Sequence, residues 1–193
     1  MSAVRVEPET APAKTVDDGP LVRRVLGGDR EAFGELVRRH QDVLYRFLRG
    51  MGTDHDTAVD LIQEAFVKAY DALASCREPA HFRAWLFRIA RNRCLDHVKN
   101  VRQLSIPLSA LPRAEAIVDE RAAGPEPRLI LCAALERLPT ALREAFLLKH
   151  DAGYAYEEIA ELTGASVSAV KMRVHRARES LREFLVEQGI DAA

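Results

Sequence analysis

Apolar residues recur at intervals of three and four along two long stretches of the chain, the spacing that lines up side chains on one face of a helix. Starting from Asp29 as N-cap, Phe33, Leu36, Val37, Leu44, Phe47, Leu48 and Met51 form one stripe, which Gly50 and Gly52 close. A second helix is predicted from Asp54, burying Ala58, Ile62, Ala65, Phe66, Ala69 and Leu73, with acidic residues in its first turn as the helix dipole favours. After the break at Glu78-Pro79, a third is predicted from about residue 81 to residue 100, with Phe82, Trp85, Leu86, Ile89 and Arg93 on one face. A short extra helix is expected near residues 21–26.

The second stretch opens after Pro127 with Leu129, Ile130, Cys132, Ala133, Leu135 and Leu138. Pro139 then starts a helix over residues 140–149, and two more follow. No segment alternates apolar and polar residues between turn signals, so the fold expected is all-α, without a sheet. Between the stretches, Pro107, Pro112, Gly124, Pro125 and Pro127 interrupt any helix. The organisation predicted is a flexible tail (1–20), a helical domain (21–104), a flexible linker (105–127), a second helical domain (128–187) and a short tail (188–193).

Residues 156–170 of the second domain carry a helix-turn-helix pattern. Gly164 stands where the turn needs positive φ, Ser166 is the next N-cap, and Ala160 is small where two helices cross. Ile159, Leu162, Val167, Val170 and Val174 supply the shared core of the pair. The second helix then presents Lys171, Arg173, His175, Arg176 and Arg178 opposite a stripe of Val170, Val174, Ala177, Leu181 and Leu185. Such a helix fits a DNA major groove, with arginine reading guanine and the N-terminal amides, Ser166 and Ser168 meeting phosphate.

Charge changes the picture of the first domain. The chain has 28 Lys+Arg against 29 Asp+Glu, so any nucleic-acid surface must come from segregated charge. Its second helix carries Asp54, Asp56, Asp60, Glu64 and Asp71 against Lys68, a face suited to a basic partner. The third reverses the sign with Arg83, Arg88, Arg91, Arg93, Lys99 and Arg102 against Asp96. Trp85 and Phe87 are interleaved among these, a composition that suits a nucleic-acid strand.

Other chemistry is thinly represented. Three scattered cysteines, Cys76, Cys94 and Cys132, without a C-x-x-C pair, argue against a disulfide framework or a cysteine zinc site and suit a reducing compartment. No run approaches the roughly 18–20 apolar residues of a membrane span, and no basic-then-apolar leader opens the chain. Phosphate-loop, zinc-protease and serine-hydrolase motifs are missing, and the six histidines do not cluster, which points away from an enzyme. A stand-alone helix-turn-helix regulator is the competing reading, but it leaves the acidic helix unexplained.

Three strings together resemble a family: Asp60-Leu61-Ile62-Gln63-Glu64-Ala65-Phe66-Val67-Lys68-Ala69-Tyr70, Phe82-Arg83-Ala84-Trp85-Leu86-Phe87-Arg88-Ile89-Ala90-Arg91-Asn92, and Val170-Lys171-Met172-Arg173-Val174-His175-Arg176-Ala177-Arg178. Over about residues 20–187 the chain resembles the two-domain bacterial sigma factors called extracytoplasmic-function, or group IV, sigma factors. The resemblance implies a non-enzymatic cytoplasmic factor, without cofactor or metal, that binds RNA polymerase core enzyme. It would recognise the −35 element with its second domain and the −10 element with its first, and help to open the duplex. It further implies control by an anti-sigma factor, often membrane-anchored, with no membrane insertion of the chain itself.

Carried over by position, Asp60, Gln63 and Glu64 would face the basic coiled coil of the polymerase clamp, flanked by Lys68. Asn92 would contact a flipped −10 base. Phe87, Arg88 and Arg91 would lie beside the strand, with Arg83 in the same basic set, and the loop around Cys76 would complete the pocket. Family members often have an aromatic residue at Cys76, so the departure would alter base preference or make the thiol redox-sensitive. Lys171, Met172, His175 and Arg176 align with groove-facing positions, Arg173 belongs to the same basic helix, and Ser166 and Ser168 align with phosphate contacts. Met172 replaces a common small polar residue and would favour an apolar contact such as a thymine methyl.

Overall fold

The computed structural model describes residues 17–103 and 125–188. Expectations for residues 1–16, for most of the linker (104–124) and for 189–193 lie outside the described residues. The described residues form only helices and turns, and divide into two compact units, one before and one after about residue 115. Among them no helix is long and apolar enough to cross a membrane.

The first unit contains α1 (Gly19–Leu26), α2 (Arg30–Gly50), α3 (His55–Asp71) and α4 (Phe82–Gln103), with two short 3-10 turns between α3 and α4. Local chemistry sets each boundary. Asp29 caps α2, its Oδ1 accepting from the amides of Glu31 (3.1 Å) and Ala32 (3.2 Å). Gly52, at φ +99°, takes the chain out of α2, and Asp54 caps α3 through the Thr57 amide at 2.8 Å. The core joins Leu36, Leu44, Phe47 and Leu48 of α2 to Ala58, Leu61, Ala65, Phe66 and Ala69 of α3. From α4 it takes Phe82, Leu86, Phe87, Ala90 and Cys94. Small residues on both α3 and α4 allow these packed helices a close approach.

Two expectations are corrected here. Residues 17–20 belong to the fold rather than to a tail. Asp18, 1% exposed, lies 2.7 Å from His40 Nε2 and 3.3 Å from Arg39 Nη1, which fastens the start of α1 to α2. A carboxylate can be buried only with such partners, and nothing in the local pattern announces them. The buried face of α4 also differs from the expected one. The rows Phe82–Leu86 and Phe87–Ala90–Cys94 turn inward, whereas Trp85, Ile89 and Arg93 are at least partly exposed. Phe82 and Leu86 are buried as expected, but the packed face extends from them to Phe87, Ala90 and Cys94 instead of to Trp85 and Ile89.

The second unit contains α5 (Pro125–Arg137), α6 (Thr140–His150), α7 (Tyr156–Thr163) and α8 (Val167–Glu187). Here Pro125 and Pro127 lie in the first turn of α5, where a missing N–H costs nothing, so they start the helix instead of ending a linker. Gly164 adopts φ +67°, and Ser166 Oγ accepts from the Ala169 amide at 3.2 Å. Glu158 reaches back to the Ala155 N–H at 2.7 Å and fixes the start of α7. Ile159, Leu162, Val170, Val174, Ala177, Leu181 and Phe184 are buried where α6 and α7 pack on α8.

Candidate polymerase and nucleic-acid interfaces

Helical geometry gathers the expected polymerase-contacting residues. Asp60, Gln63, Glu64 and Lys68 are all exposed on α3, opposite the row of Ala58, Leu61, Ala65 and Ala69. Asp56 and Asp71 share that exterior. The sequence reading passed over Val67, which is 62% exposed amid these charges, and Tyr70 at the edge of the face. Both look like ordinary members of an apolar stripe until α3 is oriented. Glu64 Oε2 lies 3.9 Å from Arg93 Nε, a loose exposed pair at the border between α3 and α4.

Across that border, an open groove of about 400 Å³ is lined by Lys68 of α3 and by Trp85, Arg88, Ile89, Asn92, Arg93 and Asp96 of α4. It combines an indole face, an amide and several cations, which suits an unstacked base and the phosphates beside it. The expected strand-side set divides around it. Arg88 and Asn92 line the groove, and Arg91 stands next to it with Nη1 3.4 Å from Asn92 Oδ1.

Phe87 does not reach the groove. It is 1% exposed, with its ring centroid 5.7 Å from that of Phe47, so the aromatic residue available to a strand is Trp85. Arg83 precedes Phe87 by four and Ala90 by seven, which puts it in an inward row, half-buried. Cys76 is 6% exposed, its Sγ donating to the Glu78 carbonyl at 3.6 Å, and burial pushes its thiol pKa up. A protonated, covered sulfur is a poor redox sensor and a poor base contact, so neither consequence drawn from its departure fits its surroundings.

On α8, Lys171, His175 and Arg178 form one row and Met172 and Arg176 a second, all exposed. Met172, 49% exposed, stands on the outermost side of the helix. His175 Nε2 lies 3.3 Å from Glu179 Oε1. Ser166 and Ser168 are exposed at the N-terminus, their hydroxyls 3.2 Å apart. Arg173 is the exception. Three residues after Val170 and four before Ala177, it sits half-buried on the rim of the packed stripe, less exposed than the other cations.

Comparison with known proteins gives this arrangement its class. The model of sigma-70 region 2 matches residues 36–103, and that of sigma-70 region 4 matches residues 128–181. The ECF RNA polymerase sigma factor SigE of Mycolicibacterium smegmatis is 36% identical over 179 residues, which cover 86% of this chain and 67% of SigE. The RNA polymerase sigma factor CnrH of Cupriavidus metallidurans is 33% identical over 87% of this chain and 94% of its own. A structure of CnrH with the cytosolic domain of CnrY matches with a TM-score of 0.69 at 30% identity, covering 89% of this chain and 99% of that one. The sigma factor RpoE from Bartonella quintana, solved with the anti-sigma factor NepR, matches with a TM-score of 0.69 at 28% identity, covering 79% and 96%.

The chain belongs to the extracytoplasmic-function family of RNA polymerase sigma factors. It is therefore a transcription initiation factor, and the stand-alone regulator is set aside.

Proposed function

We propose that sigma activity is divided among three surfaces of this chain. The outer face of α3, centred on Asp60, Gln63 and Glu64 with Lys68 at its flank, binds the core polymerase. The α4 groove, with Arg88 and Asn92 joined by Trp85, receives the −10 strand. The two exposed rows of α8, with Lys171, Met172, His175 and Arg176, enter the major groove of the −35 element, while Ser166 and Ser168 meet phosphate at its N-terminus. The observation that carries this reading is the sharp change of charge between neighbours: α3 exposes acids where the adjoining face of α4 exposes arginines around an indole. Acids toward a basic clamp and cations toward DNA keep the two partners on separate surfaces.

The chain acts in the cytoplasm, where its polymerase works, and carries no catalytic step of its own. An anti-sigma factor covers these surfaces in the inactive state; the complex of Bartonella quintana RpoE with NepR supports this. The test is reconstituted transcription with bacterial core polymerase on a random promoter library. Protein-dependent starts that share two spaced upstream motifs are expected. Replacing both Asp60 and Glu64 with lysine is expected to abolish core binding with the circular dichroism spectrum unchanged. Retained binding by that folded variant would overturn the role of α3.

A further inference from the structure

In the second unit, two lysines from different helices converge on one aromatic ring. Tyr156 opens α7 and is half-buried. The ammonium of Lys149, at the end of α6, lies 4.6 Å from its ring centroid, and that of Lys171, on α8, lies 5.6 Å from it. Both distances fall within the roughly 6 Å over which a ring face attracts a cation.

A carboxylate at this position would also gather the two lysines, but it would cancel half of their charge. A ring gathers them through its quadrupole and leaves both charges available to an anion. Each lysine would otherwise sample many rotamers, and docking would have to order them. The neighbouring His150 has its pKa lowered first by burial, then by the charges of Arg178 and Lys149. No acidic side chain is among the partners of that shift.

We propose that Tyr156 is a positioning residue for promoter binding: its ring pre-orders Lys171 for the major groove and adds Lys149 to the DNA face as a phosphate contact. The inference rests on the −35 reading of α8 and deepens it. Lys149 escapes a sequence reading because it sits at the end of a different helix, where a cation also suits the helix dipole.

The experiment uses the full chain with core polymerase and a promoter duplex selected from a random pool by the wild-type protein. Affinity is measured across a salt series, with circular dichroism melting as the check on folding. Y156F keeps the ring and is expected to match wild type. Y156L is expected to lose about three- to tenfold in affinity. K149Q alone is expected to flatten the slope of log affinity against log salt by about 0.9, the share of one phosphate contact. Adding K149Q to Y156L is expected to cost less than K149Q costs alone.

A folded Y156L with wild-type affinity, or a Y156F that loses as much as Y156L, would overturn the positioning role. A K149Q with unchanged slope would overturn the phosphate contact, and this arm stands even if Y156L fails to fold. Failure of the wild-type holoenzyme to select any duplex would instead remove the −35 reading itself, and the inference with it.

Discussion

Phe87 and Trp85 stand two residues apart on α4 in opposite surroundings, one sealed against Phe47 and the other lining the groove. Their alanine variants should therefore fail in different ways. Phe87→Ala is expected to cost about 3–5 kcal/mol in urea unfolding, the usual range for emptying a packed aromatic site. Trp85→Ala should unfold at a urea concentration much nearer wild type, while binding of a −10 single strand by the holoenzyme weakens by about 1–3 kcal/mol. A Trp85→Ala holoenzyme that binds the strand normally would remove the indole from the proposed site. On α8, Arg176→Ala should weaken the selected −35 sequence by about 1–3 kcal/mol if the guanidinium pairs with guanine. Equal weakening on every sequence would make it a phosphate contact. At Asp18, the buried carboxylate holds His40 and Arg39 together. Asp18→Ala should cost about 1–3 kcal/mol, because it leaves the buried His40 without its partner while Arg39 keeps Glu35 at 3.3 Å.

At the scale of elements, caps and turns were the most readable features, because their chemistry is local. Asp29, Asp54, Gly164 and Ser166 all occupy the capping or turn positions that the sequence suggests. Gly164 gives a clean test. A Cβ there would meet nothing within 4 Å, so Gly164→Ala should cost about 1–2 kcal/mol purely through its φ of +67°. Asp54 gives a pH test. The hydrogen bond from the Thr57 amide holds its folded pKa below the ordinary aspartate value. Its contribution is thus fully present above that value and lost as pH falls through the lower folded one. Asp54→Ala should cost about 1 kcal/mol at neutral pH, a penalty that shrinks in thermal melts as pH falls below the ordinary aspartate range. Which face of α4 is buried could not be read so directly. Two apolar rows compete on that helix, and the choice is made by partners distant in sequence, such as Phe47 and His40 of α2, on which Phe87 and Phe82 pack. Burial of Asp18 is hidden for a similar reason, since its partners lie 21 and 22 residues away.

For the whole molecule, a net charge of −1 hides strong local fields. The balance read from composition correctly demanded segregation, but it could not say which cations share a surface. The three-dimensional fold sets Arg88 and Arg93 at the groove and Arg83 in an inward row, and leaves Lys171 and Arg176 exposed where Arg173 is half-buried. Despite its near-neutral total, the chain in its holoenzyme should therefore bind DNA with the steep salt dependence of a cationic protein, which a titration between 50 and 200 mM salt would read.

The burial of the cysteines has a practical consequence. Cys76 and Cys94 are closed off in the first unit, whereas Cys132 in the second is only half-covered. A maleimide dye added to the native, unmutated protein should thus attach at one place, on α5. The natural sequence already holds a site-specific fluorescent handle, well suited to watching the second unit meet its promoter while the first remains unlabelled.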